Sequence, residues 1–160
     1  MADMTQLMNS KDAVWAGAAS VYVTIDGNRY KLIQCTSLEA TGKKNKKEIP
    51  ILGRVSAGNK SAGIKYTGKM SGYYNTSIFR KLLKNYQDTG VDTYFDLTVT
   101  NDDETAAVGK QTVILKGCNF DEQIVAKVEA GGDPLVEDAS FTFESYEMPT
   151  EFTELSGMTV

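Results

Sequence analysis

The stretch Gly53-Arg54-Val55-Ser56-Ala57-Gly58-Asn59-Lys60-Ser61 is the nearest thing to a chemical motif in this sequence. A phosphate-binding loop needs a lysine directly after its second glycine, so that backbone N–H groups and the ammonium converge on one phosphate chain. Here Asn59 stands between Gly58 and Lys60, and no helical pattern follows. Asn101, Asp102, Asp103 and Glu104 offer oxygens to calcium or magnesium, but without the twelve-residue spacing and terminal bidentate glutamate of a calcium loop. A solvated hairpin turn accounts for them. Asp121-Glu122 and Glu137-Asp138 are adjacent carboxylates, and neighbours on a strand point to opposite faces, so neither pair suits acid/base work on one substrate.

What is missing narrows the chemistry further. The chain has no histidine, which removes the commonest general base, the commonest metal ligand and every Ser-His or Cys-His nucleophile. Cys35 and Cys118 are too far apart in sequence to form a metal-binding pair or a disulfide-dense scaffold, and are expected to be buried thiols. No catalytic residue, metal site or cofactor is expected, and the chain reads as a non-enzyme.

Charge is distributed unevenly. Residues 1–91 hold fourteen Lys and Arg against six Asp and Glu, a net of +8, while residues 92–160 hold three against fifteen, a net of −12. The basic excess peaks over residues 43–65, where Lys43, Lys44, Lys46, Lys47, Arg54, Lys60 and Lys65 face the single acid Glu48. Three partners are open to such a segment. It can bind nucleic acid through counterion release, be an idle solvated loop, or meet the acidic half of another copy in a head-to-tail contact. Tyr66, Tyr73 and Tyr74 lie nearby, and lysines interleaved with aromatics are what single-strand binders use. Packing in a core or interface is the other use of those rings.

These residues must be held by a small scaffold. A length of 160 residues with 41% apolar content suits one domain, 1–160. The start, Met1-Ala2-Asp3-Met4, lacks the basic and apolar regions of a secretory signal, and Ala13 to Ala19 is too short to cross a bilayer, so a cytosolic origin is expected. Residues 1–19 read as an arm or a short helical piece.

From Ser20 to Asp26 the alternation is clean, with Val21, Val23 and Ile25 on one face; Asp26-Gly27-Asn28 then turns the chain into an extended Arg29–Cys35, a hairpin. Residues 40–62 are rich in Gly, Lys, Asn and Ser around the apolar clip Ile49, Ile51 and Leu52, and read as a long loop that packs against something. Residues 63–70 alternate again.

Ile78, Phe79, Leu82, Leu83 and Tyr86 share one helical face, which predicts a helix over Thr76–Asp88, capped by Asn75 or Ser77 and stopped by Gly90. Further strands are expected at Tyr94–Thr100, Gln111–Phe120, Gln123–Glu129 and Ser140–Tyr146, with an irregular tail over 148–160. About seven strands and one helix make a mostly β fold, an antiparallel β-sandwich or barrel with one flanking α-helix.

The order of segments VYVTIDGNRYKLIQCTSLEA, KKNKKEIPILGR, GIKYTGKMSGYYNTSIFRKLLKNY and YFDLTVT resembles the tail tube family of PBSX-type prophages and R-type bacteriocins, over roughly residues 10–152. The resemblance implies a β-sandwich or barrel with a flanking helix, like the type VI secretion tube, in rings of six copies that stack head-to-tail into a hollow tube inside a contractile sheath. The tube would be a conduit for DNA or ions, or a membrane-puncturing device. Implied partners are other copies of the chain, a sheath protein, a baseplate or tube initiator and a tape measure protein. DNA would be only transient lumen cargo, and no stable membrane association is implied.

The implied location is a virion or phage-tail-like particle, assembled in the host bacterial cytoplasm. Strands around 20–35 and in the acidic half would join a lumen-lining barrel across subunits. The loop over 41–63 would reach the neighbouring ring through Lys43, Lys44, Lys46, Lys47, Glu48, Ile49, Ile51, Leu52 and Arg54. The alternative is a nucleic-acid-binding module that uses the same lysine-rich loop.

Overall fold

The structure is a computed structural model that describes residues 7–159. Eight strands and one helix follow one another: β1 (Ala19–Ile25), β2 (Asn28–Lys31), β3 (Cys35–Ile49), β4 (Gly58–Tyr73), α1 (Ile78–Thr89), β5 (Phe95–Asp102), β6 (Lys110–Glu122), β7 (Val136–Phe143) and β8 (Ser145–Thr150). The fold is mostly antiparallel β with one helix, the class expected from the sequence. No helix among the described residues is long and apolar enough to cross a membrane. The chain forms two compact units. One takes the residues up to Ile33, Tyr94–Lys116 and those from Tyr146 on; the other takes Gln34–Thr93 and Gly117–Ser145.

In the first unit, β1 and β2 form the expected hairpin, with Ile25 opposite Asn28. Asp26 and Gly27 both have positive φ, 49° and 81°, the backbone of a tight turn whose twist matches its strands. On its other side β1 pairs antiparallel with β5, setting Val21 against Val99 and Val23 against Leu97. β6 is hydrogen-bonded to β5, and β8 to β6. The alternation read from the sequence is the burial seen: Val21, Val23 and Ile25 are buried, together with Leu32, Phe95, Leu97, Ala106 and Leu115. The segment preceding β1, expected as an arm or short helical piece over 1–19, contains a 3-10 turn at Ser10–Asp12; residues 1–6 of that expectation lie outside the described residues.

The β5–β6 turn ties this segment down. Asp102 donates its N–H to the Ala18 carbonyl at 2.8 Å, and the Asp103 carboxylate accepts from the backbone N–H of Trp15 and of Thr105, both at 3.0 Å. Asp12 accepts from the Ala107 N–H at 3.0 Å.

In the second unit the order of hydrogen-bonded strands is β6, β7, β4, β3. Its core is aromatic. Phe141 and Phe143 on β7 are buried, Phe120 meets Phe141 edge-on at 6.1 Å, and Phe79 of α1 meets Phe120 edge-on at 4.8 Å. Phe141 lies directly against Gly68 on the neighbouring strand: a Cβ at Gly68 would sit 2.3 Å from the ring. Only glycine lets the ring approach that closely.

The helix starts where expected. Ser77 holds the cap position without a side-chain bond, and the Thr76 hydroxyl accepts from the Ile78 N–H at 3.3 Å. It ends at Gly90, whose φ of 73° lets its N–H reach the Tyr86 carbonyl at 2.8 Å.

Three expectations need correction. Residues 41–63 are not a loop: they lie within β3 and β4, joined by a turn over 50–57. Strand propensity is low there, but a long antiparallel register outweighs it. The strand expected at Gln123–Glu129 is absent. Antiparallel β6 and β7 pair up to Glu122 and Ser140, so residues 123–135 serve as the connection between them, and Val128 stands 97% exposed. Alternation without a ladder partner makes no strand. The tail expected over 148–160 begins instead within β8, which runs to Thr150; Val160 lies outside the described residues.

Candidate assembly interface

β7 covers β4 only from Tyr66 to Tyr73. Before Tyr66, β4 has β3 as its neighbour and no other among the described residues, and β3 is the last strand of its ladder. Residues 43–49 and 58–65 therefore form a two-stranded ribbon, about 20 Å long at ~3.3 Å per residue. Every residue from Glu39 to Ser56 and from Asn59 to Lys65 is exposed. Such a ribbon is marginally stable alone, and its free N–H and C=O rows are templates for further pairing.

Register decides which charges share a face. Lys43 stands opposite Lys65 and Lys47 opposite Lys60. Between these rungs β4 carries one extra residue, a bulge that includes Gly63 at φ 126°, while β3 runs on without a break. Lys43 and Lys47, four residues apart on β3, thus point the same way, and Lys65 and Lys60 join them across the ribbon. Lys44, opposite Ile64, and Lys46, opposite Ser61, occupy the other face with Glu48. Like charges directly opposed on a sheet destabilise it by a few tenths to about 1 kcal/mol per pair. None of these lysines forms an ion pair among the described residues.

The tip has a different character. Ile49 ends β3, and the Arg54 N–H closes a turn onto the Ile51 carbonyl at 3.1 Å, with Gly53 at φ 85°. Ile49 and Ile51 are each 41% exposed, while Leu52 and Val55 are fully exposed, at 103% and 109%. Of the clip expected to pack against something, Ile49 and Ile51 are more than half covered within their own chain, whereas Leu52 is bare. Bare apolar residues flanked by lysines are the composition of a contact surface.

All nine candidate residues, Lys43, Lys44, Lys46, Lys47, Glu48, Ile49, Ile51, Leu52 and Arg54, thus lie on one hairpin, but on two faces and a tip. Sequence reading missed Val55 as a tip residue, and it missed the pairing of Lys60 and Lys65 with the first lysine run. Gly53 between two polar, lysine-bearing runs was the signal for a hairpin.

The rejected motifs fall where their chemistry is weak. Gly53–Ser61 is the turn and the first residues of β4, with no helix behind it. Asp103 spends its carboxylate on backbone N–H groups, and those bonds, Trp15 first, pull its pKa below the ordinary value. The adjacent acids Glu137 and Asp138 go to different partners. Glu137 forms an ion pair with Arg80 at 2.6 Å, and Asp138 accepts from the Ser71 hydroxyl. Burial pushes Glu137 up, and the Arg80 charge works against that push.

A cavity of about 30 Å³ beside this pair, lined by Cys35, Phe79, Arg80, Gln123 and Glu137 among others, suits water and not a substrate. Tyr66 stacks on Phe143 at 5.0 Å, and Tyr74 lies under the Arg80 guanidinium at 4.1 Å, so both rings serve packing. Cys118 is buried, and Cys35 is half-buried with its thiol donating to the Ser37 carbonyl; burial raises its pKa.

A family model described as phage tail tube protein matches residues 6–150. The chain is 34% identical over 130 residues to the phage-like element PBSX protein XkdM of Bacillus subtilis (strain 168), spanning 81% of this chain and 87% of that one. Its fold is similar to a chain of the anti-feeding prophage baseplate, at TM-score 0.62 and 12% identity over 91% of this chain and 97% of the other. It is also similar to the SPP1 tail tube, at TM-score 0.62 and 7% identity over 88% and 81%. With the family model matching residues 6–150 and the PBSX protein matching at 34% identity, the chain belongs to the phage tail tube protein family.

Proposed function

We propose that the whole chain, 1–160, acts as one tail-tube subunit that closes rings of six and stacks them head-to-tail into the hollow inner tube of a contractile tail or phage-tail-like particle. The tube is a conduit for DNA or ions, or a membrane-puncturing device. The observation that carries this reading is the β3–β4 hairpin, a ribbon with two unpaired edges and a bare apolar tip. A lone monomer gains nothing from such an element, whereas a neighbouring copy can bury the tip and complete the strand rows. Family membership supports the same reading.

In this reading the residues of the 41–63 segment reach the next ring. Sheath, baseplate initiator and tape measure proteins are the other partners, DNA is transient cargo, and assembly takes place in the bacterial cytoplasm. A nucleic-acid-binding role is the weaker alternative, because Tyr66 and Tyr74 are already stacked within the chain.

Electron microscopy of the purified protein, alone and with its initiator, tests the proposal. Sixfold rings or stacked tubes are expected. A chain that stays monomeric under both conditions refutes it.

A further inference from the structure

We infer that the lysine face of the hairpin, formed by Lys43, Lys47, Lys60 and Lys65, docks on the acidic stretch Glu147–Glu154 of a second copy of this chain. The inference rests on the self-assembly reading above and names the two surfaces that meet.

Three observations carry it. The first is the pair of rungs Lys43–Lys65 and Lys47–Lys60, which hold two ammonium groups side by side on one face with no carboxylate partner among the described residues. A carboxylate seated between two such groups turns an unfavourable rung into a favourable one.

The second is the composition of the chain's end. From Val128 to Val160 there are eight acids and no lysine or arginine. Two of those acids are already engaged, Glu137 with Arg80 and Asp138 with Ser71. Glu147, Glu151 and Glu154 are exposed and form no ion pair among the described residues.

The third is spacing. Glu147 and Glu151 are four residues apart in sequence, as are Lys43 and Lys47; the two lysines lie within β3 and span roughly 13 Å, while β8 ends at Thr150, one residue before Glu151. β8, which carries Glu147, pairs with β6.

A contact between unlike surfaces of identical chains is heterologous and propagates, because each copy keeps one lysine face and one acidic stretch free. Charge of this kind sets register and rejects wrong alignments, while the apolar tip supplies buried area. Nucleic acid is the other acidic occupant, and two of the three tyrosines it would stack on are occupied.

Charge reversal tests the pairing. One variant carries Lys43→Glu, Lys47→Glu, Lys60→Glu and Lys65→Glu; a second carries Glu147→Lys, Glu151→Lys and Glu154→Lys; a third carries all seven. The lysine reversal keeps both rungs like-charged, so the ribbon's own energetics change little. Assembly is followed by sedimentation and electron microscopy.

Each of the first two variants should raise the concentration needed for assembly by on the order of tenfold or more. The seven-fold variant, and a mixture of the first two, should return to within about threefold of wild type. Wild-type protein that never assembles sinks the tube reading together with this pairing. Wild-type tubes with an unaffected lysine reversal sink the pairing alone. A lysine reversal that blocks assembly without rescue by the acidic reversal assigns the face to another acidic partner, and that too overturns the pairing.

Discussion

Replacing Leu52 and Val55 by serine separates a role in assembly from a role in folding more cleanly than any other change in this chain. Both side chains are fully exposed, at 103% and 109%, so the monomer loses no burial when they are shortened. The expected change in unfolding free energy is within about 0.5 kcal/mol, the usual range for surface positions. If the tip is seated in a neighbouring copy, each side chain gives up the transfer of its apolar surface, about 1.5–3 kcal/mol when fully buried. Together that is about 3–6 kcal/mol per contact, or roughly a hundredfold to ten-thousandfold in the association constant, since ~1.4 kcal/mol is a factor of ten.

The assay pairs urea unfolding of the unassembled protein with sedimentation across a concentration series. The expected outcome is an unchanged unfolding midpoint and a soluble, unassembled pool at concentrations where wild type forms tubes. Tube growth at the wild-type threshold refutes the docking of the tip. A large drop in monomer stability refutes the exposure on which the estimate is built.

Three further outcomes follow from the geometry. Gly68→Ala places a methyl 2.3 Å from the buried Phe141 ring and should cost about 1–3 kcal/mol in urea unfolding, whereas Gly131→Ala, with open space around it, should stay within about 0.5 kcal/mol of wild type. Arg80→Ala leaves Glu137 half-buried and unpaired and should cost about 1–3 kcal/mol near neutral pH. Glu137 is already pushed up by burial, so acidification through and above the ordinary glutamate range neutralises it in the folded state, and the deficit should shrink as pH falls. Asp103 has its pKa lowered by backbone N–H groups, so its contribution is present above the ordinary aspartate value and is lost as pH drops through the lowered one. Hydrogen exchange at the Trp15 amide should accelerate on that acid limb, and Asp103→Asn should abolish the pH dependence.

Local pattern was enough for the β1–β2 hairpin and for α1. Val21, Val23 and Ile25 alternate in the sequence, which marks the face of β1 that is buried, and Asp26-Gly27 accepts positive φ; both signals are local. Gly90 ends the helix for the same local reason. The absence of histidine and the split in charge were likewise plain in the sequence; the first argued against the commonest catalytic chemistry, and the second left nucleic acid, an idle loop and another copy open as readings of the basic segment.

Register was not legible. Lysine, asparagine and glycine over 40–62 carry almost no strand preference, so the ribbon exists only because β3 continues along β4 past the end of β7. The same long-range pairing chose which lysines share a face, joining Lys43 to Lys65 and Lys47 to Lys60 across more than a dozen residues. It also removed a strand from Gln123–Glu129, whose alternation has no partner to bond. Periodicity records which side chains want burial, and that is a property of the chain itself; which backbone meets which is set by the closure of distant ladders, and only the folded arrangement decides it.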